Sequence, residues 1–443
     1  MAHKPPRHRS HPDFRHRSQI PMPAVADVEQ RLFDVLSPSL LAPRQLERRD
    51  PRQPQRVIRM RQRLLTLPVL VAIIVSLVWR RLPAVAEVQR MLAHEGLLWV
   101  PPLPVSPQAI TKRLDVMPAA VIGQLCAEVW PRLQAQAPPL PPPPWAPVLA
   151  HFPRLAIVDG STLEALRKKA QALREQAGLV LAGKVLVMVE AFSHRPLWQH
   201  YTEDALANDK RFAGEILAVL PPGGLLVFDL GFFSFLWFDA FTETAKYFVT
   251  RLREKTAYRT VQLLSSSPYY RDEIIQVGQY RANPCQHPLR LVSVLWQGAW
   301  YRYLTNVLAP HRLSARQVCE LYRQRWRIED AFALTKRLLD LAYVWTGSRN
   351  AVQLQIYATL IFYAVLLTIC QQVAQALGEP LERISVEMVF RAFYHYSRAV
   401  QRGESDNLVR FLTEHTKLLG IIKRPRTVHR ERQQLAAMIW GDP

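Results

Sequence analysis

The sequence has little cysteine, and its cysteines are scattered. The four cysteines form no Cys-x-x-Cys pair; they are Cys126, Cys285, Cys319 and Cys370. Cys285 lies close to His287, but no second half-site follows at the spacing of a zinc finger. We therefore expect no structural zinc, and unpaired cysteines of this kind are typical of a reducing cytoplasm.

Acidic residues are also few relative to basic residues. The 443 residues include 36 Asp and Glu against 57 Lys and Arg, which gives a formal net charge of +21. A charge of this size indicates a polyanionic partner, either nucleic acid or an anionic membrane surface, and a metabolic hydrolase would not need it. Hydrophobic residues make up 49% of the chain, so most of it should be globular, in about two to four folding units.

No apolar run is a convincing membrane span. Residues 64–79 are apolar apart from three residues, but they fall short of the roughly 20 residues that a span needs. Arginines lie at both ends, and the run is too far from the N-terminus for a signal peptide. The next apolar stretch, at 356–369, contains tyrosines and threonines. We predict a buried helix over 64–79 and no membrane partner.

Composition divides the chain into five parts. These are a basic, partly disordered N-terminal arm (1–63), a helical DNA-binding domain (64–136), a Pro-rich linker (137–147), an α/β domain (148–376) and a helical, basic C-terminal region with a dimerisation role (377–443). In the helical domain, Ser106 and Pro107 predict the start of a short helix that carries Lys112 and Arg113. A basic second helix could read DNA as a helix-turn-helix does, although any small helical domain shows the same pattern.

The region after the linker alternates between strand and helix patterns. We predict strands over 155–158, 184–190, 225–229 and 246–251, a helix over 205–220, and a solvated turn containing Glu190, His194 and Arg195. A β-rich insertion is predicted at about 255–310. Its clearest part is a hairpin of 289–296 and 300–308, with Gln297 and Gly298 at the turn.

An aspartate stands at the end of two of these strands, directly after 155–158 and as the last residue of 225–229. Asp159 and Asp229 each follow an apolar run and precede small or turn-forming residues. Carboxylates at neighbouring strand ends can gather hard cations, and Glu329 from a helix could complete the set. Three carboxylates without cysteine or a histidine cluster favour Mg²⁺ or Mn²⁺ over zinc. Two such cations about 4 Å apart are suited to phosphodiester cleavage.

The segment 313–341 predicts one amphipathic helix. At about 100° per residue, Tyr322, Arg325, Glu329 and Lys336 fall on one face, beside an apolar stripe. Ordinary i,i+4 ion pairs would explain part of this face. The two strand-end aspartates favour a second interpretation, in which Glu329 is a metal ligand and the cations bind phosphate.

The spacing Tyr322-x2-Arg325-x3-Glu329-x6-Lys336 resembles the YREK motif of the IS4-type DDE transposases. VDGST (158–162) and FDLGFFS (228–234) resemble the motifs that carry the family's two aspartates. YLTN (303–306) and RW (325–326) lie where the family has similar residues. The resemblance covers roughly 150–375. It implies an RNase H-like core with a β-rich insertion.

The resemblance also implies roles for single residues. Asp159, Asp229 and Glu329 would be the catalytic triad, holding two Mg²⁺ or Mn²⁺ ions per active site. Tyr322, Arg325 and Lys336 would contact DNA near the scissile phosphate. Trp300 or Trp296 would stack where a base flips out, unless both belong to the hairpin core. Arg251 could reach a phosphate or form a structural ion pair.

The function that follows is cut-and-paste DNA transposition. A homodimer in the bacterial cytoplasm, associated with the nucleoid when bound to DNA, would bind the terminal inverted repeats of its element and then target DNA. Two alternatives stay open: a structure-selective nuclease on the same core, and a non-catalytic DNA-binding regulator derived from a transposase. A protein of the membrane surface is a more distant alternative.

Overall fold

A computed structural model describes residues 21–423, apart from 43, 51–52, 54, 83, 137–144, 164–182, 281 and 339–347, together with 439–440. The first 20 residues, most of the predicted linker and the Lys336 side chain lie outside the described residues.

The described chain up to residue 152 is mainly helical. Its helices are α1 (Ala26–Leu36), α2 (Pro38–Leu41), α3 (Leu67–Trp79), α4 (Val85–His94), α5 (Pro107–Val116), α6 (Ala119–Gln136) and α7 (Ala146–His151), and strands β1 (Glu47–Arg49) and β2 (Val57–Arg59) pair between α2 and α3. Ser106 caps α5 as predicted, because its side chain accepts a hydrogen bond from the Ala109 N–H. Helix α1 lies within the segment assigned to the arm, and its apolar face is buried in the larger core.

The predicted buried helix over 64–79 is confirmed as α3. It starts at Leu67, because Pro68 suits the first turn of a helix, where its missing N–H costs nothing. Every residue from Leu70 to Trp79 is buried. Trp79 contacts Phe362 of a later helix, with ring centroids 6.5 Å apart. The apolar run therefore serves the protein core.

Nine of the described strands form one mixed sheet. The strands are β3 (Leu155–Thr162), β4 (Lys184–Glu190), β5 (Pro196–Thr202), β6 (Leu225–Val227), β7 (Tyr247–Arg251), β8 (Tyr258–Ser266), β9 (Tyr270–Val277), β10 (Leu289–Trp296) and β11 (Ala299–Thr305). Their order is β5-β4-β3-β6-β7-β11-β10-β9-β8. The β3–β6 and β6–β7 pairs are parallel, and the others are antiparallel.

The period-two alternation of strand side chains gives this sheet two buried faces. Along β3, Leu155 and Ile157 join the larger core, whereas Ala156 and Val158 join the second core on the opposite face. The second core is rich in aromatic rings; Phe238 and Phe248 stack with centroids 4.7 Å apart. Layers therefore cover both faces of the central strands, which explains why these strands are apolar throughout.

The remaining helices follow the sheet strands or cover them. They are α8 (Ala213–Val219), α9 (Phe235–Glu243), α10 (Ala315–Gln324), α11 (Trp326–Leu338), α12 (Arg349–Leu377), α13 (Val386–Gln401), α14 (Leu408–Glu414) and α15 (Thr416–Leu419). By length and composition, residues 350–377 of α12 could cross a membrane. However, 89% of the most apolar window of this helix is buried against the rest of the protein. This burial is what a core helix requires.

Two helix predictions need correction. The helix predicted over 205–220 is a 3₁₀ turn, Asp209–Phe212, followed by α8. The single helix predicted over 313–341 is divided into α10 and α11 at Arg325. At the division, the Arg325 N–H donates to the Tyr322 carbonyl and the Ile328 N–H donates to the Arg325 carbonyl, both three residues away. The i,i+4 ladder is therefore interrupted at the residue whose side chain reaches across to β3.

The turn after β4 is not solvated, contrary to expectation. Glu190, Ser193 and Arg195 are each at most 2% exposed. The Arg195 guanidinium donates to the Leu133 carbonyl of α6 and to the Gln371 side chain of α12. Helices from distant parts of the chain cover this turn, which the local sequence could not indicate.

His194, in the same turn, makes the free energy of unfolding depend on pH. Burial, followed by the nearby Arg327 and Lys423 cations, lowers the pKa of His194 to about 3. The unfolded chain binds a proton near pH 6.5 while folded His194 stays neutral, so stability falls as the pH drops below about 6.5. His194→Asn, which tolerates the residue's φ of +57°, should remove about 1–2 kcal/mol of the stability loss between pH 7 and pH 5. Urea unfolding at both pH values tests this, and equal pH dependence in both proteins would contradict it.

Candidate active site

Two aspartates lie side by side on neighbouring parallel strands. Ile157 of β3 is paired with Val227 of β6, so two residues further on Asp159 comes level with Asp229. Adjacent strands lie about 4.8 Å apart, which brings the two carboxylates into one site. Asp159 is only 9% exposed.

A glycine N–H fixes each carboxylate. The Gly160 N–H donates to Asp159 Oδ1 over 2.8 Å, and the Gly231 N–H donates to Asp229 Oδ1 over 2.9 Å. The second bond makes Asp229 the cap of the short 3₁₀ turn Leu230–Phe232. In both cases one carboxylate oxygen is held by the backbone.

Helix α11 brings the third predicted carboxylate to the same place through Arg325. The Arg325 Nη1 atom lies 3.1 Å from Asp159 Oδ2 and 2.7 Å from Glu329 Oε1. Arg325 is 9% exposed, whereas the Glu329 side chain is 41% exposed. The guanidinium therefore connects β3 to the first turn of α11, and Glu329 lies at the solvent side of the contact.

Burial, and after it neighbouring negative charge, raises the pKa of both aspartates. Burial, together with the Asp229 charge, raises the pKa of Asp159 to about 6, against the opposing effects of the Gly160 N–H and Arg325. Burial also raises the pKa of Asp229. A cation in this place would relieve the repulsion.

The donor atoms suit a hard divalent cation, but the three carboxylates are not drawn into one cluster. Among the described residues, no three His, Cys, Asp or Glu side chains lie close enough to hold a metal ion as they stand. Arg325 lies between two of these carboxylates and binds both Asp159 and Glu329. The oxygen-only donor set fits Mg²⁺ or Mn²⁺, with Arg325 as the competing cation.

Aromatic rings surround Arg325. Tyr322 is 7% exposed, its ring centroid lies 5.7 Å from the Arg325 guanidinium carbon, and it contacts Tyr303 of β11 at 5.3 Å. Trp326 lies 5.3 Å from the same carbon and is 61% exposed. The sequence predicted a role for Tyr322, but Trp326 was noted only as part of the RW pair and was given no role.

Two predicted DNA-contacting residues, Arg251 of β7 and Trp300 of the insertion, lie on opposite faces of the sheet. Arg251 is opposite Tyr303, and its guanidinium carbon lies 5.8 Å from the Tyr301 ring, on the face that Tyr322 covers. Trp300 alternates with Tyr301 and is 48% exposed on the other face, where it lines a cavity of about 250 Å³. Trp296 is half-buried. Tyr301, which the sequence did not single out, is therefore nearer the Arg325 side than Trp300.

The remaining predicted contacts lie in the N-terminal helices. Lys112 is exposed on α5, and Arg113 is half-buried and donates to the Arg61 carbonyl. The end of α5 is tied to α12, because the Asn350 side chain donates to the Asp115 carbonyl over 3.3 Å. Nothing described joins Lys112 or Arg113 to the two aspartates.

Comparison with known proteins identifies this region. Residues 150–365 match the family described as the transposase DDE domain. These residues contain Asp159, Asp229, Arg325 and Glu329. Over this part of its length, the chain is similar to the transposase DDE domain family.

The curated relatives that this chain matches include transposases of insertion sequences. The transposase for IS231F of Bacillus thuringiensis subsp. israelensis is 23% identical over 271 residues, or 48% of this chain and 56% of the relative. The transposase for IS231B of Bacillus thuringiensis subsp. berliner is 24% identical over 242 residues, or 52% of this chain and 49% of the relative. The chain thus spans about half the length of the curated relatives it matches.

One solved structure is similar over most of the chain. It is the piggyBac transposase in a synaptic complex with hairpin DNA, with a TM-score of 0.39 and 10% sequence identity. The similarity covers 90% of this chain and 84% of the other.

In this arrangement, a divalent cation would have to compete with Arg325 for the carboxylate oxygens of Asp159 and Glu329. Arg325→Gln should therefore bind Mn²⁺ at least about tenfold more tightly than the wild-type protein, since a positive charge about 3 Å away is removed. Titration of the DNA-free protein, followed by the Mn²⁺ electron paramagnetic resonance signal, measures this. Unchanged or weaker Mn²⁺ binding would contradict the competition.

Proposed function

We propose that the chain is the transposase of an insertion sequence, which cleaves the ends of its element and joins them to target DNA. The observation that carries this proposal is that Arg325 contacts both Asp159 and Glu329 while Asp229 lies beside Asp159 on the neighbouring strand, in a region that matches the DDE domain. The net charge of +21 supports a polyanionic substrate.

The sheet order supports an RNase H-like core. Strands β3, β4 and β5 form an antiparallel meander, and β6 and β7 add in parallel on the other side of β3. The antiparallel strands β8 to β11 extend the sheet beyond β7, between the second aspartate and the glutamate. This is where the resemblance places a β-rich insertion.

The three carboxylates of the site have different roles in this proposal. Asp159 and Asp229 present oxygens whose orientation is fixed by the glycine N–H groups. Glu329, more exposed and held by Arg325 alone among the contacts described, is the ligand that is released into place when a phosphodiester approaches. A pair of Mg²⁺ or Mn²⁺ ions, when bound, would polarise the phosphate and the attacking and leaving oxygens.

The cationic and aromatic residues would hold the DNA. Once Arg325 exchanges its carboxylates for the substrate, its planar guanidinium can donate to two phosphate oxygens. Trp326 is exposed beside Arg325 and can stack on a base. Tyr322, together with Arg251 on the sheet face that Tyr322 covers, limits where the DNA strand can lie. Lys336, Trp300, Trp296, Lys112 and Arg113 remain proposed DNA contacts.

The assembly we propose is a homodimer on the two inverted repeats, in the bacterial cytoplasm and at the nucleoid when bound to DNA. Binding to the ends should weaken steeply as salt concentration rises, because bound Lys and Arg residues displace counterions from the phosphates.

The test uses DNA from the borders of the gene. A labelled duplex that carries one inverted repeat and its flank is incubated with the full chain and Mg²⁺. We expect a cut at the repeat boundary that leaves a 3′-OH, and no cut with EDTA or in a duplex with a scrambled repeat. Equal cutting of the scrambled duplex would contradict a transposase, and no Mg²⁺-dependent cut at any border would contradict an enzyme.

A further inference from the structure

An ion pair that no sequence motif contains lies against both catalytic aspartate turns. Lys184 is the first residue of β4, opposite Thr162 of β3, and Asp209 starts the 3₁₀ turn after β5. The Lys184 ammonium pairs with Asp209 Oδ1 and lies 3.3 Å from the Ala207 carbonyl. Both side chains are buried to a similar degree, at 13% and 15% exposure.

The carboxylate of Asp209 lies between the two glycines of the site. A Cβ atom on Gly160 would be 3.0 Å from Asp209 Oδ1 and 2.7 Å from Lys184 Cε. A Cβ atom on Gly231 would be 3.1 Å from Asp209 Oδ2. A side chain at either position would press on the pair, so Asp209 lies close to both turns and Lys184 lies close to the first.

These two glycines are the ones that orient the aspartates. The Gly160 N–H holds Asp159 Oδ1, and the Gly231 N–H holds Asp229 Oδ1. A shift of either peptide would move a carboxylate oxygen with it. One side chain, Asp209, thus contacts the supports of both carboxylates at once.

We propose that Lys184 and Asp209 form a positioning clamp that sets the separation of Asp159 and Asp229 for divalent cations. The inference rests on the proposed function. Lys184 has two tasks in the clamp: its stem fills the space over Gly160, and its charge balances a carboxylate that would otherwise add to the repulsion in the site.

The test measures Mn²⁺ affinity in the full chain without DNA, by electron paramagnetic resonance titration. Asp209→Ala and Lys184→Met should each weaken Mn²⁺ binding by about 10- to 100-fold, the usual effect of losing a residue that orients a metal ligand. Asp209→Asn keeps the shape of the side chain and should fall between Asp209→Ala and the wild type. If Asp209→Ala does not fold, the Mn²⁺ affinity of Asp209→Asn tests the clamp in its place.

A matched control lies in the same segment. Asp204 pairs with Arg211 over 3.1 Å, but both side chains are more than half exposed and neither touches Gly160 or Gly231. Asp204→Ala should leave Mn²⁺ affinity unchanged.

The double variant Lys184→Met with Asp209→Asn separates positioning from folding. It leaves no unpaired charge, so its unfolding midpoint should return toward that of the wild type while Mn²⁺ binding stays weak. Recovery of both quantities would mean that the pair only supports the fold, and would overturn the clamp.

The result with Asp229→Ala distinguishes a failure of the clamp from a failure of the metal site itself. If Asp229→Ala abolishes Mn²⁺ binding and Asp209→Ala binds as the wild type does, the clamp is wrong and the metal site stands. If Asp229→Ala also binds as the wild type does, the metal site of the proposed function fails, and the clamp is overturned with it.

Discussion

Replacing Asp159 or Asp229 with alanine should reduce cleavage of a labelled element end by at least about 1000-fold, with end binding changed by less than about threefold. Loss of a metal ligand removes several kcal/mol of charge stabilisation in the transition state, and each 1.4 kcal/mol is a factor of ten in rate. Binding should persist, because the phosphate contacts come from Lys and Arg side chains elsewhere. Single-turnover cleavage and gel-shift titration measure the two quantities.

Glu329→Gln is the informative third variant. It keeps a hydrogen-bond acceptor for Arg325 but lacks the charge that a divalent cation needs, so cleavage should fall as steeply as in the aspartate variants. Asp406→Ala, which removes an exposed partner of Arg410 far along the chain, should cleave normally. Normal cleavage by all three triad variants would show that the site is wrongly assigned.

The second large effect concerns stability. Arg290→Met should cost about 3–5 kcal/mol of unfolding free energy, the usual result of leaving a buried charge without its partner. Arg290 is fully buried, with Nε 2.8 Å from Asp272 Oδ1 and Nη2 2.7 Å from Asp272 Oδ2. Its Nη1 donates to the Leu313 carbonyl over 2.6 Å, just before α10 begins. The variant should therefore also loosen the attachment of α10 to the insertion.

Two comparisons support that measurement. The double variant Arg290→Met with Asp272→Leu leaves neither charge behind and should be more stable than Arg290→Met alone. Arg410→Met breaks an exposed pair and should change stability by less than about 0.5 kcal/mol. Chemical denaturation of the proteins under the same conditions gives all three values. Equal losses for Arg290→Met and Arg410→Met would contradict the buried network.

The positions of the strands could be predicted from the sequence because the pattern that indicates a strand lies within the strand itself. Residues 184–190 and 289–296 have the predicted bounds, since an apolar, β-branched run between turn residues has few other ways to fold. The turn between β10 and β11 also follows from its residues, because Gln297 and Gly298 both take positive φ. Parallel pairing of β3 with β6 then brings Asp159 beside Asp229 without further information.

The division of the helix predicted over 313–341 could not be predicted from the sequence. A helical wheel treats residues 322–336 as one rigid helix, but the interruption at Arg325 accompanies a contact with Asp159, which lies 166 residues earlier in the chain. Such a contact leaves no periodic pattern. The wheel placed Arg325 and Glu329 on one face, and they are in contact, because their four-residue spacing holds across the division.

Lys184 and Asp209 were missed for a related reason. Lys184 begins a strand and Asp209 begins a short 3₁₀ turn, so each looks like an ordinary surface charge in the sequence. Their importance comes from meeting between two glycines that only the fold brings together. In the sequence, Gly160 and Gly231 were the indication of this contact, because small residues after the aspartates leave room for another part of the chain.

The account is tested most directly by joining a precleaved end to new DNA. A duplex that ends at the inverted repeat with a free, labelled 3′-OH is incubated with the full chain, Mg²⁺ and a supercoiled plasmid. A transposase predicts label covalently attached to the plasmid, dependent on Asp159, Asp229 and Glu329. Cleavage of ends with no transfer of label would identify a nuclease instead, and binding without either reaction would identify a regulator.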